Sequence, residues 1–273
     1  NPPSVGTNGE ATVVKIEPGG QPLTIASNSV VNAASYAPGL PFSGGLASVF
    51  LDGLTGIHGI TTAAGYPLPT QLAGVSVKVN GELAPMLAVA SLPGGGQQIN
   101  FQVPLDRGLG QYEAAIHQYP ALEIDANGIA TFTGVLPVAP GIFTLADGSP
   151  AVQHAADFTP ISQTHPVVPG EIVTIYATGV GAYTPGTTGI PATGPEPLVY
   201  PLQPTVSLGG RNCALLYAGP APGFVGLDQI NCRTSKQISG GLQSLQIISP
   251  MAPFESGTPA FVTNSNIVKV PVQ

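Results

Sequence analysis

The sequence predicts an all-β protein of sandwich type, in which one β unit is used twice behind an N-terminal strand. Three observations carry this prediction. Gly and Pro supply 36 and 30 of the 273 residues while apolar residues make up 43%, a balance that suits short strands joined by tight turns. No segment shows the 3.6-residue periodicity of an amphipathic helix, whereas Gly74-Val-Ser-Val-Lys-Val79 alternates strictly. Its Val75, Val77 and Val79 fall on one face, Ser76 and Lys78 on the other. Finally, Glu171–Val180 matches Gly45–Leu54 position for position, and Thr205–Leu208 before Gly209-Gly210 matches Ser76–Val79 before Asn80-Gly81.

Residues 1–26 form an extension outside the repeat. Within it Thr12, Val13, Val14, Lys15 and Ile16 read as a strand, broken by Pro18-Gly-Gly20. Two fates are open to such a strand. It joins the edge of its own first domain, or it leaves and adds to the sheet of a neighbouring subunit, since strand addition needs an extended alternating segment on a tether.

The first repeat covers 27–144. Val30–Tyr36 and Leu46–Leu51 open it, and Gly74–Val79 runs into Asn80-Gly81, a type I′ hairpin signal. Met86–Ala90 and Gln98–Val103 form a hairpin around Gly94-Gly-Gly96. Tyr112–His117 and Gly128–Val135 are the closing strands, and Pro140–Thr144 hands over to the next unit. The second repeat covers 145–273, with strands at Glu171–Val180, Thr205–Leu208, Leu242–Ile248 and Asn266–Val272. Seven or so short strands in each ~120-residue unit predict two tandem immunoglobulin-like β-sandwich domains.

Asn212–Cys232 reads as a hairpin with a long Gly/Pro loop, and aligning the repeats sets Cys213 on Ala84 and Cys232 on Phe101. The two cysteines then face each other near the hairpin base. Either they stay as buried free thiols or they form a disulfide, which closes a loop contributing about 3 kcal/mol and implies an oxidising compartment.

Charge narrows the partners. Only 7 Lys and Arg stand against 14 Asp and Glu, with net charge −7, and no basic run is present to track phosphates, so no nucleic acid is expected. No apolar run is long enough for a membrane span. Two cysteines without a C-x-x-C motif leave no zinc site, and no metal or other cofactor is expected. Asp125-Ala-Asn127-Gly128 lacks the remaining ligands of a calcium loop and fits a turn.

Catalytic signatures are also missing. There is no G-x-S-x-G elbow, and His58, His117, His154 and His165 are scattered. No carboxylate pair stands out for glycoside hydrolysis. Tyr66, Tyr112, Tyr119, Tyr183 and Tyr200 are candidates for stacking on sugar rings.

The phrases VVNAASYAPG, PGEIVTIYATGVGAY, VSVKVNGELAPMLAV, QQINFQVP, APGIFT and LYAGPAPGFVGLDQIN together resemble a known repeat. It is the Ig-like domain at the C-terminal ends of large secreted Acidobacteria proteins, the Solibacter-type C-terminal domain. The resemblance covers almost the whole chain beyond residue 26. It implies an extracellular or cell-surface location and a structural or attachment role, with no catalytic residues to carry over. The cysteine pair is a departure from the family's pattern.

The sequence therefore leads to a secreted, non-enzymatic structural or adhesive surface protein that associates with copies of itself, as in a filament subunit. The competing expectation is a carbohydrate-binding accessory module whose partner is a surface polysaccharide.

Overall fold

The computed structural model describes residues 13–14, 23, 25–26, 28–104, 121–126, 129–134, 139–183, 188–195, 198–200, 203–251 and 261–273. The chain is all-β. Every regular element among these residues is a strand, and every pair of strands is antiparallel.

In chain order the first ten strands are β1 (Val13–Val14), β2 (Val30–Asn32), β3 (Leu46–Leu51), β4 (Ile60–Thr62), β5 (Val75–Val79), β6 (Glu82–Leu83), β7 (Met86–Ser91), β8 (Gln97–Gln102), β9 (Ala121–Ala126) and β10 (Ile129–Gly134). They form two five-stranded sheets, ordered β1-β10-β9-β5-β6 and β2-β3-β8-β7-β4. The alternation read from Gly74–Val79 is realised: Val75, Val77 and Val79 are buried, while Ser76 and Lys78 are only partly so. Asn80 and Gly81 take φ of 51° and 83°, the left-handed pair that a type I′ turn requires. A single apolar cluster draws on both sheets, from Val49, Ile99 and Phe101 on one to Val77, Leu122 and Ile124 on the other.

The remaining strands are β11 (Gly141–Ile142), β12 (Val152–His154), β13 (Ile172–Thr178), β14 (Ala182–Tyr183), β15 (Leu198–Tyr200), β16 (Thr205–Leu208), β17 (Arg211–Asn212), β18 (Ala214–Pro220), β19 (Asp228–Arg233), β20 (Gly241–Met251), β21 (Phe261–Asn264) and β22 (Val268–Val272). One sheet runs β11-β13-β19-β18 with β12 also on β13; another runs β17-β16-β20-β21 with β22 also on β20; β14 and β15 pair separately. A second cluster, with Ile175, Ile230, Leu208 and Ile247, lies between the two larger sheets.

The halves repeat each other in register. Ala47 pairs with Phe101 and Val49 with Ile99 on β3 and β8; Val173 pairs with Cys232 and Ile175 with Ile230 on β13 and β19. The neighbouring strand is bulged at the same place in both, between Met86 and Ala88 and between Leu215 and Tyr217. Ala84 donates its N–H to Val77 O as Cys213 does to Val206 O, both at 2.8 Å. Cys232 thus stands where Phe101 stands, and Cys213 where Ala84 stands.

Two readings of the sequence shift, and a third falls outside the described residues. Gly141–Ile142, expected to end the first repeat at 144, pair with Thr178 and Ala177 of the second half, and Ile142 is buried in its core. Asp125, considered for a calcium turn, lies within β9 opposite Ser76 and Ala130. Tyr112–His117 lie outside the described residues.

The halves meet at a polar joint with little free space. Thr178 Oγ accepts the Leu46 N–H at 2.7 Å and donates to Gly226 O at 2.6 Å. Asn32 reaches Thr178 O at 3.4 Å and Ala139 O at 3.3 Å. Gly179, at φ 74°, lies so close to Pro41 that a Cβ on it would stand 2.6 Å from the proline Cβ. Sheet ends are seated here backbone to backbone, as only glycine permits.

Candidate functional site

Val13 and Val14 of the candidate donor strand pair with Phe132 and Thr131 of β10 in the same chain. The strand thus takes an edge of its own first sheet in this structure. Thr12, Lys15 and Ile16 lie outside the described residues.

The cysteines are not the opposed hairpin pair expected. Cys232 lies opposite Leu215 on one side and Val173 on the other, while Cys213 sits at the corner where the chain crosses from β17 to β18. Both are buried free thiols, unbridged in this structure. Each perturbs the other: the neighbouring Cys232 thiol lowers the Cys213 pKa, and the Cys213 thiol, with burial, raises that of Cys232. Crossing between sheets places both residues in one core cluster on a diagonal, short of disulfide distance, which hairpin pairing alone does not describe.

His165 Nδ1 lies 3.1 Å from the hydroxyl of the adjacent Thr164, itself 3.1 Å from Ser162 Oγ, on an exposed loop. His154 Nδ1 meets Glu171 Oε2 at 2.8 Å, and its Nε2 faces the His165 carbonyl at 3.3 Å. Glu171 also accepts the Val168 N–H at 2.8 Å, so the cluster ties the start of β13 to a loop. His58 is exposed, and His117 lies outside the described residues. Among the described residues no group of three or more His, Cys, Asp and Glu is placed to hold a metal, and no helix is long and apolar enough to cross a membrane.

The feature with the most chemical character is a cleft of 210 Å³ on the outer face of the β2-β3-β8-β7 sheet. It follows from strand alternation. With Val49, Ile99 and Phe101 turned inward, Ser48, Gln98 and Asn100 must face out. Asn100 Oδ1 accepts from Ser48 Oγ at 2.8 Å and from Gln98 Nε2 at 2.7 Å. Asn100 Nδ2 and Gln98 Oε1 are left without a partner among the described residues. Tyr36 and Phe143 also line the cleft, and the Tyr36 ring lies 6.3 Å from that of Phe50. Tyr36 is 59% exposed at φ 57°, a conformation costing a non-glycine residue about 1–2 kcal/mol.

The second half repeats most of this. Gln229 Nε2 donates to Asn231 Oδ1 at 3.1 Å, Thr174 and Tyr176 stand for Ser48 and Phe50, and Phe158 is 68% exposed at φ 61°. Of the tyrosines suggested by the sequence, Tyr66 is exposed but does not line the cleft. Tyr183 and Tyr200 lie on the β14–β15 pair, and Tyr112 and Tyr119 lie outside the described residues. The missed signal was the twice-written Gln-Ile-Asn, at 98–100 and 229–231.

One further group lies deep in the second half. Asp228 is fully buried; Oδ2 accepts the Val180 N–H at 2.8 Å, while Oδ1 has no partner among the described residues. Burial pushes this carboxyl well above the ordinary carboxylate range, against the opposing N–H donations from Val180 and Gly179.

No protein-family model and no curated protein matches the chain. The class the geometry defines is an all-β protein of paired antiparallel sheets.

Proposed function

We propose that the protein is a non-enzymatic extracellular structural or adhesive component, two tandem Ig-like sandwiches that join copies of themselves by β-strand addition. The observation that carries this reading is an asymmetry between the halves. In the first, β10 is covered on its outer side by the two-residue strand β1. In the second, β21 is the last strand of its sheet among the described residues. Val262 on that edge is 57% exposed, and Val13-Val14 is apolar. A free edge with an apolar side chain invites another chain, and Val13-Val14 is the kind of extended segment that strand addition uses. A head-to-tail contact of this kind propagates as a fibre when it does not close into a ring.

Supporting features are the 8% charged content, the resemblance to secreted Ig-like repeats, and the adjacent thiols. Oxidation to a disulfide outside the cytoplasm would suit the last of these.

Deleting residues 1–20 is the test, read by electron microscopy and size-exclusion chromatography. The full chain is expected to assemble, and the truncated chain to remain a folded monomer. Equal assembly by both would remove strand addition as the mechanism.

A further inference from the structure

We propose that the cleft on the outer face of the β2-β3-β8-β7 sheet is a binding site for a neutral sugar ring of a glycan. Among the described residues no charged side chain lines it. That argues against phosphorylated, carboxylated and zwitterionic ligands, which need a counter-charge once desolvated. A purely apolar ligand fits no better, because it would strand the amides of the floor. What remains is a neutral molecule with many hydroxyl groups and some apolar surface.

A pyranose presents both faces of that description. Its C–H face stacks on aromatic rings, here Tyr36 and Phe143, and its hydroxyls accept from an amide N–H and donate to an amide oxygen. The fold leaves one of each on offer at this floor. Asn100 Oδ1 is occupied by Ser48 and Gln98, which fixes the amide orientation, so that Asn100 Nδ2 and Gln98 Oε1 are the groups left for a ligand. At 210 Å³ the cleft is smaller than the roughly 300 Å³ at which pockets for drug-sized molecules begin, a size for one ring of a longer chain that continues into solvent.

A second observation stands apart from the cleft. Tyr36 and Phe158 occupy the same turn in the two halves, at φ 57° and 61°, and both are exposed. A bulky residue held left-handed is an outlier, and burial does not account for either ring. Strain retained at an exposed aromatic, twice, points to a surface function. In the second half Gln229, Asn231 and Tyr176 stand at the positions of Gln98, Asn100 and Phe50, so Phe158 marks a related, more open platform.

The inference is independent of strand addition and is tested on the full chain. Affinity electrophoresis in gels containing dextran, laminarin, mannan or xylan is compared with gels containing polygalacturonate or chondroitin sulfate. Retardation by at least one neutral glycan, and not by the charged ones, is expected. Tyr36→Gly removes the ring and relieves the positive φ, with folding checked by melting temperature; it and Asn100→Ala should each weaken binding about tenfold. Three results would overturn the assignment: no retardation by any neutral glycan, equal retardation by the charged polymers, or unchanged binding in a folded Tyr36→Gly protein.

Discussion

Asp228 Oδ2 accepts the backbone N–H of Val180 at 2.8 Å, and Gln97 Oε1 accepts the N–H of Leu54 at 3.3 Å at the same place in the first half. Both side chains cap the end of the central strand, β13 or β3. The neutral amide does this without cost in charge. The carboxyl does it fully buried, with one oxygen unpartnered among the described residues.

Asp228 therefore makes stability pH-dependent in a definite direction. Its ordinary pKa is 3.8, and the folded value is raised well above that. Above 3.8 the unfolded chain gives up the proton while the native protein keeps it, so the unfolded state gains and stability falls as pH rises toward the folded value. Urea denaturation of the parent between pH 3 and 7 should show this decline. Asp228→Asn should flatten it and be more stable near neutrality by about 1–3 kcal/mol.

Thr178 links the halves by accepting from Leu46 and donating to Gly226. Thr178→Val keeps the shape and leaves a buried N–H and a carbonyl without a partner. A loss of about 1–3 kcal/mol is expected for each group that cannot find water, read as a lower urea midpoint with an unchanged slope.

Gly179 and Gly210 separate backbone strain from crowding. Their φ values are 74° and 73°, yet an added Cβ meets Pro41 at 2.6 Å in the first case and nothing within 4 Å in the second. Gly210→Ala should cost about 1–2 kcal/mol for the left-handed backbone alone. Gly179→Ala should cost clearly more, because Pro41 must move. Equal losses in melting temperature would show that the joint is not tightly packed there.

Oxidation tests the thiol pair. With an oxidant, the protein should lose two hydrogens by mass and gain about 3 kcal/mol against denaturant, and Cys213→Ser should abolish both changes. In the reduced native protein a small alkylating reagent should label Cys213 before Cys232. The neighbouring thiol favours the thiolate of the first and disfavours that of the second.

Val262→Lys tests the open edge. A Lys on an exposed strand guards it against pairing, so the variant should keep its melting temperature within about 0.5 kcal/mol equivalent and lose assembly. Filaments of normal length would exclude β21 as the acceptor.

Much of this architecture could be read from local pattern. Alternation at Val75, Val77 and Val79 dictated which side chains are buried, because the strand period of two leaves no other face for them. Asn80-Gly81 and Gly209-Gly210 announced their turns, since few residues tolerate the left-handed backbone. The likeness of Glu171–Val180 to Gly45–Leu54 carried the register of the central strands into both halves. Only the tertiary structure decided which distant groups meet. The diagonal placing of Cys213 and Cys232 in one core, the burial of Asp228, the Thr178 joint and the closing of the cleft by Phe143 depend on how sheets stack and how the halves abut. Those relations are made by long-range packing, and the one-dimensional periodicity of a strand does not record them.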